Sequence, residues 1–301
     1  MPSASLIAPA KINLALHVGA VQPDGYHPVD TLCAFLDAGD RVSIEGRADE
    51  FSVQIDGPFA AALTDAPQGT TNLILTGARL LADAIEVPMV RFGLHKAVPA
   101  ASGIGGGTAN GAAAMVLLNR LAPQPLSADA LIRLARGLGA DGPICMASLV
   151  KAGRVSRAQG IGERVSNGPA TPPFTLAIAN PGLPVSTGRV FHVFDDAAPP
   201  APFELNIPAR FSTLSQLVQW AKGTRNDLQS PAVALEPVIA EGLTAMRQRP
   251  GCMAARMSGS GATLFGLFNS ATAARRGARW FAGQGWWSTA GWASHGVGGL
   301  G

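Results

Sequence analysis

The feature of this sequence that most restricts its fold is a glycine-rich loop between a predicted strand and a predicted helix. Apolar residues alternate with other residues from position 90 to 94, as in a β-strand, and an alanine-rich stretch that favours a helix extends to residue 121. Between them, glycines occupy positions 103, 105, 106 and 107. Glycine allows consecutive backbone N–H groups to turn toward an anion, and a helix N-terminus adds its own unpaired N–H groups. We therefore expect this loop to bind phosphate.

Two common nucleotide-binding motifs do not account for the loop. A P-loop requires a Gly-Lys dipeptide, and the chain contains none. A dinucleotide-binding fingerprint requires a third glycine where Thr108 stands, and the residues before the loop show no regular βαβ repeat. A glycine-rich turn without a ligand is the remaining alternative, and it fits two glycines better than four that lead directly into a helix.

The segment from Pro99 to Thr108, Pro-x-x-x-Gly-Ile-Gly-Gly-Gly-Thr, resembles the ATP-binding signature of the GHMP kinases. Ala109 departs from the family pattern, in which a second serine is frequent at that position. The resemblance implies ATP and Mg²⁺ as cofactors, with the Thr108 hydroxyl as a metal ligand. It also implies an ATP site composed of Lys96, Pro99, Gly103, Ile104, Gly105, Gly106, Gly107 and Thr108.

Seven further segments, in order along most of the chain, resemble the branch of this superfamily that phosphorylates a cytidine-diphosphate-linked methylerythritol in the non-mevalonate isoprenoid pathway. They lie at residues 8–14, 24–27, 139–141, 160–163, 180–182, 226–228 and 258–262. The resemblance implies ATP-dependent phosphorylation of the 2-hydroxyl of that substrate. Two alternatives remain open: a GHMP kinase for homoserine, mevalonate or a sugar, and an inactive nucleotide-binding regulator.

Phosphoryl transfer to an alcohol needs a carboxylate that accepts the hydroxyl proton and a cation near the developing charge. The resemblance implies that Asp141 is this base, that Lys11 is this cation and that Asn13 orients the substrate. On the residues alone, Asp141 before Gly-Pro is equally typical of a turn. Lys11 would then be a strand lysine with its alkyl chain against apolar surface, which is less attractive because only four of the 23 basic residues are lysines. Gly142 follows Asp141 where the family usually has valine, which predicts a looser loop around the base.

The Asp-Gly-Tyr-His segment at residues 24–27 contains the single tyrosine of the chain. The resemblance implies a cytosine site in which Tyr26 covers one face of the base, Phe191 covers the other and His27 contacts its polar edge. A partly buried surface tyrosine is the plain alternative for Tyr26, and a lone core or surface histidine is the plain alternative for His27.

The whole chain is predicted to be an α+β protein with the two-domain GHMP kinase fold, and the resemblance places the active site in the cleft between the domains. We expect the domains to comprise residues 1–166 and 167–301, because polar, glycine and proline residues interrupt the pattern at 167–173. Strands are predicted at 11–18, 28–36, 41–45 and 51–56, and the glycine-rich stretch from 283 onward gives no assignable pattern.

Composition restricts the partners and the compartment. The net charge of +3 is spread along the chain without a run of like charges, so we expect no nucleic acid partner. No apolar stretch approaches the roughly 20 residues that a membrane span needs, and the N-terminus does not resemble a signal peptide. The three cysteines are far apart and lack metal-binding spacing. These features predict a cytoplasmic protein with reduced thiols that binds small molecules and no membrane.

Overall fold

The computed structural model describes residues 4–64, 72–100, 102–151, 155–196 and 203–293. Its first sheet has six strands: β1 (Ser5–Val18), β2 (Val29–Arg47), β3 (Ser52–Asp56), β4 (Val90–His95), β5 (Val155–Gly160) and β6 (Arg164–Asn167). The strand order is β3-β4-β2-β5-β6, and β1 pairs with β2. The β3–β4 pair is parallel and the other pairs are antiparallel.

Strand β2 is the centre of this sheet, because β1, β4 and β5 all pair with it. The sequence predicts two separate strands here, at 28–36 and 41–45, but the structure has one strand of 19 residues. The pairing of β1 with β2 changes register between Pro9 and Ala10, next to Gly39. A Cβ atom at Gly39 would collide with the carbonyl of Ala8, so glycine is required at this irregularity.

The helices of the first half are α1 (Ala61–Thr64), α2 (Leu73–Ala84), α3 (Gly106–Asn119), α4 (Ala128–Leu134) and α5 (Gly142–Val150). The side chains of Asn72 and Ser127 cap α2 and α4 by accepting backbone N–H groups. Helix α3 is buried from Ala109 to its end. It packs closely on α2, because a Cβ atom at Gly77 would lie 2.7 Å from the carbonyl oxygen of Gly111. The glycine loop is thereby fixed to a helix in the core.

The second sheet has four antiparallel strands in the order β10-β7-β9-β8. The strands are β7 (Thr175–Asn180), β8 (Cys252–Met257), β9 (Leu264–Phe268) and β10 (Trp287–Trp292). The helices of this half are α6 (Thr187–Asp195), α7 (Leu214–Gly223), α8 (Gln229–Leu235), α9 (Val238–Arg247) and α10 (Ala271–Gly283). Mixed helices and sheets confirm the predicted α+β class, whereas the division into domains at residues 166 and 167 stays a prediction.

Strand β1 connects the two halves. Its Leu16 N–H donates to the carbonyl of Arg225 at 3.0 Å, and its Leu16 carbonyl accepts from the Asp227 N–H at 2.9 Å. One apolar cluster contains Ile12 of β1 together with Phe265 of β9. The residues of β1 are therefore held from both halves of the chain. Among the helices that the structure describes, none has the length and apolar character needed to cross a membrane.

Candidate active site

A cavity of about 940 Å³ contains most of the predicted site residues. Its walls come from β1, the glycine loop, the start of α5, the 24–27 turn, α6 and the turn between β8 and β9. The predicted residues that line it are Lys11, Asn13, Tyr26, His27, Gly103, Gly105, Gly106, Gly107, Thr108, Asp141 and Phe191. Three further predicted residues, Lys96, Pro99 and Ile104, are not in its walls. The structure therefore brings together residues that are as many as 180 positions apart in the chain (Lys11 to Phe191).

The glycine loop presents the first turn of α3 to this cavity. Gly105 is the N-cap of α3 and has a left-handed backbone with φ of +66°, and Gly103 is also left-handed, with φ of +74°. A Cβ atom at Gly103 would lie 2.6 Å from the carbonyl oxygen of Gly261, in the second glycine-rich turn. Two glycine turns from opposite halves of the chain thus approach closely, and the unpaired N–H groups of the α3 N-terminus lie at the cavity wall.

Lys11 and Asp141 form an ion pair beside this turn. The Lys11 Nζ atom donates to Asp141 Oδ1 at 2.8 Å and to Oδ2 at 2.9 Å. A Cβ atom at Gly105 would lie 3.5 Å from Asp141 Oδ2, so the pair adjoins the start of α3. The Lys11 side chain is 7% exposed, while that of Asp141 is 40% exposed. Burial, the largest single influence, disfavours the Lys11 ammonium, but the charge of Asp141, the neighbouring Cys33 and the hydrogen bonds to Asp141 together raise the pKa of Lys11.

The backbone around Asp141 is tightly packed. Its carbonyl accepts from the Cys145 N–H at 3.0 Å, in the first turn of α5, and Gly139 precedes it with φ of +105°. Gly142 is buried, and a Cβ atom there would collide with the carbonyl of Ala135. The expectation that Gly142 loosens this loop is wrong, because the missing side chain is what allows close contact.

Lys96 lies beneath the glycine loop instead of in the cavity. Its Nζ atom donates to Asp40 Oδ2 at 2.7 Å and to the Val98 carbonyl at 2.5 Å, and both side chains are at most 2% exposed. Asp40 also accepts from the N–H groups of Ala97 and Val98 and from Asn110 Nδ2. Burial lowers the pKa of Lys96, and the charge of Asp40 opposes this shift. The pair therefore fixes both ends of the loop, from Lys96 before it to Asn110 in α3.

Asn13 is also held by the protein. Its Nδ2 atom donates to Thr31 Oγ1 at 2.8 Å, and its backbone N–H donates to Ser258 Oγ at 3.1 Å. Asn226 shapes the same turn by donating to the carbonyls of Met257 and Gly259. Both segments, 226–228 and 258–262, are among the sequence motifs, but the sequence predicts no function for Asn226. Its only sequence signal is the Asn-Asp-Leu motif, because the carbonyls to which its side chain donates lie more than 30 residues away.

Tyr26 and His27 also line the cavity. The Tyr26 side chain is exposed, and its backbone N–H donates to Asp24 Oδ1 at 3.0 Å. The His27 ring packs against Phe191, with ring centroids 4.9 Å apart and planes tilted by 37°. His27 Nε2 lies 2.7 Å from Asp195 Oδ1. Asp195 was not among the predicted site residues, although it lies four residues after Phe191 and therefore on the same face of α6.

The two cysteines near this site are buried thiols. Cys33 lines the cavity, but burial raises the pKa of its thiol to about 11, so it is protonated near neutral pH. Burial likewise raises the pKa of Cys145. Within the described residues, no group of three or more His, Cys, Asp or Glu side chains is arranged to hold a metal ion. The assignment of Thr108 as a metal ligand stays a prediction.

A second cavity, of about 470 Å³, lies behind β1 and contains Arg256. The Arg256 guanidinium donates to the carbonyls of Leu14, Ala221 and Thr224. Two of these acceptors terminate α7, where a cation offsets the negative end of the helix dipole. Burial, followed by repulsion from Arg247, lowers the pKa of Arg256 to about 10. Arg256 thus supports the strand that carries Lys11 and Asn13.

Comparison with known proteins identifies the family of this chain. The GHMP kinases N terminal domain matches residues 72–148, and the GHMP kinases C terminal domain matches residues 209–282. A 4-diphosphocytidyl-2-C-methyl-D-erythritol kinase from Cereibacter sphaeroides is 44% identical over 93% of this chain and 95% of the relative. The enzyme of the same name from Caulobacter vibrioides is 39% identical over 87% of this chain and 89% of the relative.

Solved structures agree with these relatives. A crystal structure of 4-(cytidine 5'-diphospho)-2C-methyl-D-erythritol kinase superimposes with a TM-score of 0.76 at 31% identity, over 98% of this chain and all of that one. A homoserine kinase from Cytophaga hutchinsonii, with a TM-score of 0.66 at 15% identity over 98% of this chain and 95% of that one, shares the fold alone. The chain therefore belongs to the GHMP kinases and, within them, to the family of 4-diphosphocytidyl-2-C-methyl-D-erythritol kinases.

Proposed function

We propose that this protein transfers the γ-phosphoryl group of ATP to the 2-hydroxyl of 4-diphosphocytidyl-2-C-methyl-D-erythritol. The observation that carries the proposal is the Lys11–Asp141 ion pair, which adjoins the first turn of α3 in the large cavity. Phosphoryl transfer requires a base, a cation and phosphate donors within a few ångströms of one another. The identity of the substrate is inferred from the relatives, which are kinases of 4-diphosphocytidyl-2-C-methyl-D-erythritol.

Asp141 is the proposed general base. Its carboxylate takes the proton of the acceptor hydroxyl, the hydroxyl oxygen forms a bond to the γ-phosphorus, and the bond to the bridging oxygen breaks to release ADP. The Asp141 side chain is exposed enough for a substrate to reach it, while Lys11 is buried beside it. Lys11 keeps its positive charge because of the raised pKa, and it stabilises negative charge on the transferring group.

The proposed triphosphate site is the loop from Gly103 to Thr108. The N-terminus of α3 supplies unpaired N–H groups and the positive end of the helix dipole. The Thr108 hydroxyl, an oxygen donor at this end of the cavity, suits Mg²⁺, which proteins bind mostly through substrate phosphates and water. When bound, the ion neutralises phosphate charge. Lys96 serves this site through its hydrogen bonds beneath the loop.

The cytidine end of the substrate is proposed to bind at Tyr26, His27 and Phe191. The exposed Tyr26 ring offers a face for stacking, and the rings of His27 and Phe191 line the same cavity. Asn13, fixed by Thr31, lines the same cavity as Asp141 and is the proposed orienting residue. A polyol in this cavity would bring its hydroxyl to the base.

Two further features belong to the same proposal. Residues 1–166 and 167–301 are proposed as two domains, which is supported by the two sheets: β1 to β5 precede this division, β7 to β10 follow it, and β6 (Arg164–Asn167) ends one residue beyond it. The cytoplasm is the proposed compartment, because an ATP-dependent kinase needs its ATP pool and the three cysteines are free thiols.

A coupled assay for ADP release tests the function. The expected result is turnover with the cytidyl substrate and at least a hundredfold lower kcat/KM with homoserine, mevalonate or galactose, with ³¹P NMR showing a new phosphate monoester. Preference for one of the other acceptors would reassign the enzyme within the GHMP kinases. Binding of ATP without turnover on any acceptor would instead favour an inactive regulator.

A further inference from the structure

We propose that the second cavity, which is lined by α7, α8 and the edge strand β8, binds a small compound that carries a phosphate or diphosphate group. This site is separate from the proposed active site, because the two cavities have no lining residue in common. The proposal therefore does not depend on the kinase function. It rests on the charges in the walls of the cavity and on the shortage of carboxylates to balance them.

The walls of the cavity carry four cationic side chains and, in the part of the chain that the structure describes, a single carboxylate. The cations are Lys222, Arg225, Arg247 and Arg256. The carboxylate, Asp227, already pairs with Arg225, whose Nε atom donates to Asp227 Oδ1 at 2.5 Å. Three positive charges are therefore left without a counter-charge in the cavity walls.

Arg256 is held at this cavity by uncharged groups alone. Its Nη atoms donate to the carbonyls of Leu14, Ala221 and Thr224 and to the Thr224 hydroxyl. The pKa of Arg256 is lowered to about 10 by burial and by repulsion from Arg247, so the guanidinium is still charged at neutral pH. An anion between these two cations would relieve their repulsion.

Lys222 and Arg247 bring two further charges to the same place from different helices. Lys222 lies in the last turn of α7, Arg247 is the last residue of α9, and both are exposed. Burial raises the pKa of the Cys252 thiol to about 11, and a hydrogen bond at Ala254 and the charges of Arg247 and Lys222 oppose this shift. Both charges therefore act at one end of β8, beside the cavity.

The chemistry of the walls indicates the class of ligand. A phosphate group carries about −1.5 to −2 charges near neutral pH and has three acceptor oxygens, which guanidinium groups bind through several N–H donors. Thr224, Gln229 and Ser230 add polar side chains to the walls. The volume of about 470 Å³ lies within the range of about 300–1,000 Å³ that is usual for small-molecule sites. A phosphate or diphosphate group matches both the three unbalanced charges and the size of the cavity.

Calorimetric titration of the full chain with inorganic pyrophosphate tests the site. ADP and CDP are present at saturation, so that the large cavity is occupied. We expect pyrophosphate to bind with one-to-one stoichiometry and with an affinity that falls as salt is added, because salt screens exposed charges. The double variant Lys222→Gln/Arg247→Gln should weaken this binding by about 5- to 30-fold, since each exposed charge contributes modestly and two are removed.

The matched control is Arg276→Gln/Arg279→Gln, which removes the same charge from exposed positions of α10 outside the cavity. It should bind pyrophosphate as the parent does, and both double variants should melt at the temperature of the parent, because all four side chains are exposed. ¹⁵N NMR of arginine side chains should show the Arg256 signal moving when pyrophosphate is added to the parent. Citrate, a carboxylate anion, should bind more weakly than pyrophosphate.

Three results would overturn the site: no binding of pyrophosphate by the parent loaded with ADP and CDP, equal weakening in the two double variants, or an unmoved Arg256 signal while pyrophosphate binds. Equal affinity for citrate and pyrophosphate would overturn the assignment to phosphate compounds. None of these results bears on turnover in the ADP-release assay, so the proposed kinase function is tested separately.

Discussion

Replacing Asp40 by asparagine leaves the cation of Lys96 buried beneath the glycine loop without a counter-charge. The Asp40 carboxylate accepts from Lys96 Nζ at 2.7 Å, from the N–H groups of Ala97 and Val98 at 2.8 and 3.0 Å, and from Asn110 Nδ2 at 2.9 Å. An amide can satisfy the two backbone donors with its oxygen. Its NH₂ group must then face the donors of Lys96 and Asn110.

Two independent limits set the expected loss of unfolding free energy in Asp40→Asn. Removal of one partner from a buried ion pair costs about 3–5 kcal/mol. Lys96 can escape this cost by losing its proton, which at pH 7 requires roughly 3.4 pKa units at 1.36 kcal/mol each, or about 4.6 kcal/mol. We therefore expect Asp40→Asn to lower the free energy of unfolding by about 3–5 kcal/mol. If Lys96 is neutral in the variant, the unfolded chain binds one proton more, and the loss should shrink by about 1.4 kcal/mol per pH unit between pH 7 and 10.

Urea unfolding followed by circular dichroism at pH 7 and pH 9, together with calorimetry of ATP binding, measures these effects. Asp37→Asn is the control: Asp37 lies on the same strand, accepts from the Trp292 N–H at 2.9 Å and is exposed. A second change, Lys96→Met in the Asp40→Asn background, should recover part of the stability, because no buried charge remains. Stability within about 1 kcal/mol of the parent, with unchanged ATP affinity, would refute the role of this pair in supporting the loop.

Four further predictions concern the cavity and the core. Asp141→Asn should lower kcat by about 10²–10⁴-fold in the ADP-release assay and keep ATP affinity; nearly normal turnover would remove Asp141 as the base. Gly105→Ala should cost about 1–2 kcal/mol in unfolding free energy, because alanine is strained at φ of +66°, and should weaken ATP binding in calorimetry; unchanged values of both would contradict the loop geometry. Tyr26→Ala should weaken the cytidyl substrate by about 5- to 150-fold without affecting ATP, since base stacking is worth about 1–3 kcal/mol; an equal loss for ATP would misplace the cytosine site. Burial lowers the pKa of His17, so its contribution to the free energy of unfolding is present above pH 6.5 and is lost as pH falls through the lowered pKa. In urea unfolding, His17→Leu should therefore lose less stability between pH 7 and 5 than the parent does. Equal losses of stability would contradict the lowered pKa of His17.

The sequence predicts secondary structure better where it is determined by neighbouring residues than where it depends on contacts with residues far along the chain. The alternation at 11–18 and the strand at 90–94 follow from periodicity, and both are present. The break predicted between 36 and 41 was wrong. Asp-Ala-Gly-Asp at 37–40 is typical of a turn, but Asp40 finds Lys96 at a separation of 56 residues, and β2 continues. No local pattern contains that partner.

Dependence on distant partners also explains which site residues the sequence could not assign. Asp141 on its own residues was as typical of a turn as of a base, and only its meeting with Lys11 across 130 residues gives it a chemical environment. Asp195 was missed because its carboxylate matters only through His27, 168 residues away. The strand at 287–292 was missed because it lies in a glycine-rich stretch and is defined by pairing with β7. The environment of Asp141, the contact of Asp195 and the strand at 287–292 all depend on tertiary pairing, which the periodicity of the sequence does not contain.

Burial distinguishes the other lysine–aspartate pairs from the proposed catalytic one. Lys96 and Asp40 are sealed from solvent on both sides, so their pair can only stabilise structure. Lys151 and Asp129 are 3.0 Å apart, with 37% and 69% of their side chains exposed. A pair of that kind is screened by water and contributes about 0–1 kcal/mol. Neither arrangement suits proton transfer, since the first admits no substrate and the second holds no group in place.

Lys11 and Asp141 combine the two properties that these pairs have separately. The cation is buried, which fixes its position, and the carboxylate is open to a cavity of about 940 Å³. The Asp141 carboxylate can therefore be reached from the cavity, while Lys11 keeps it oriented through both of its oxygens. A carboxylate that is reachable by substrate and held by a buried cation is suited to taking a proton at a defined position, and Asp141 adjoins the start of α3, the turn proposed to bind phosphate.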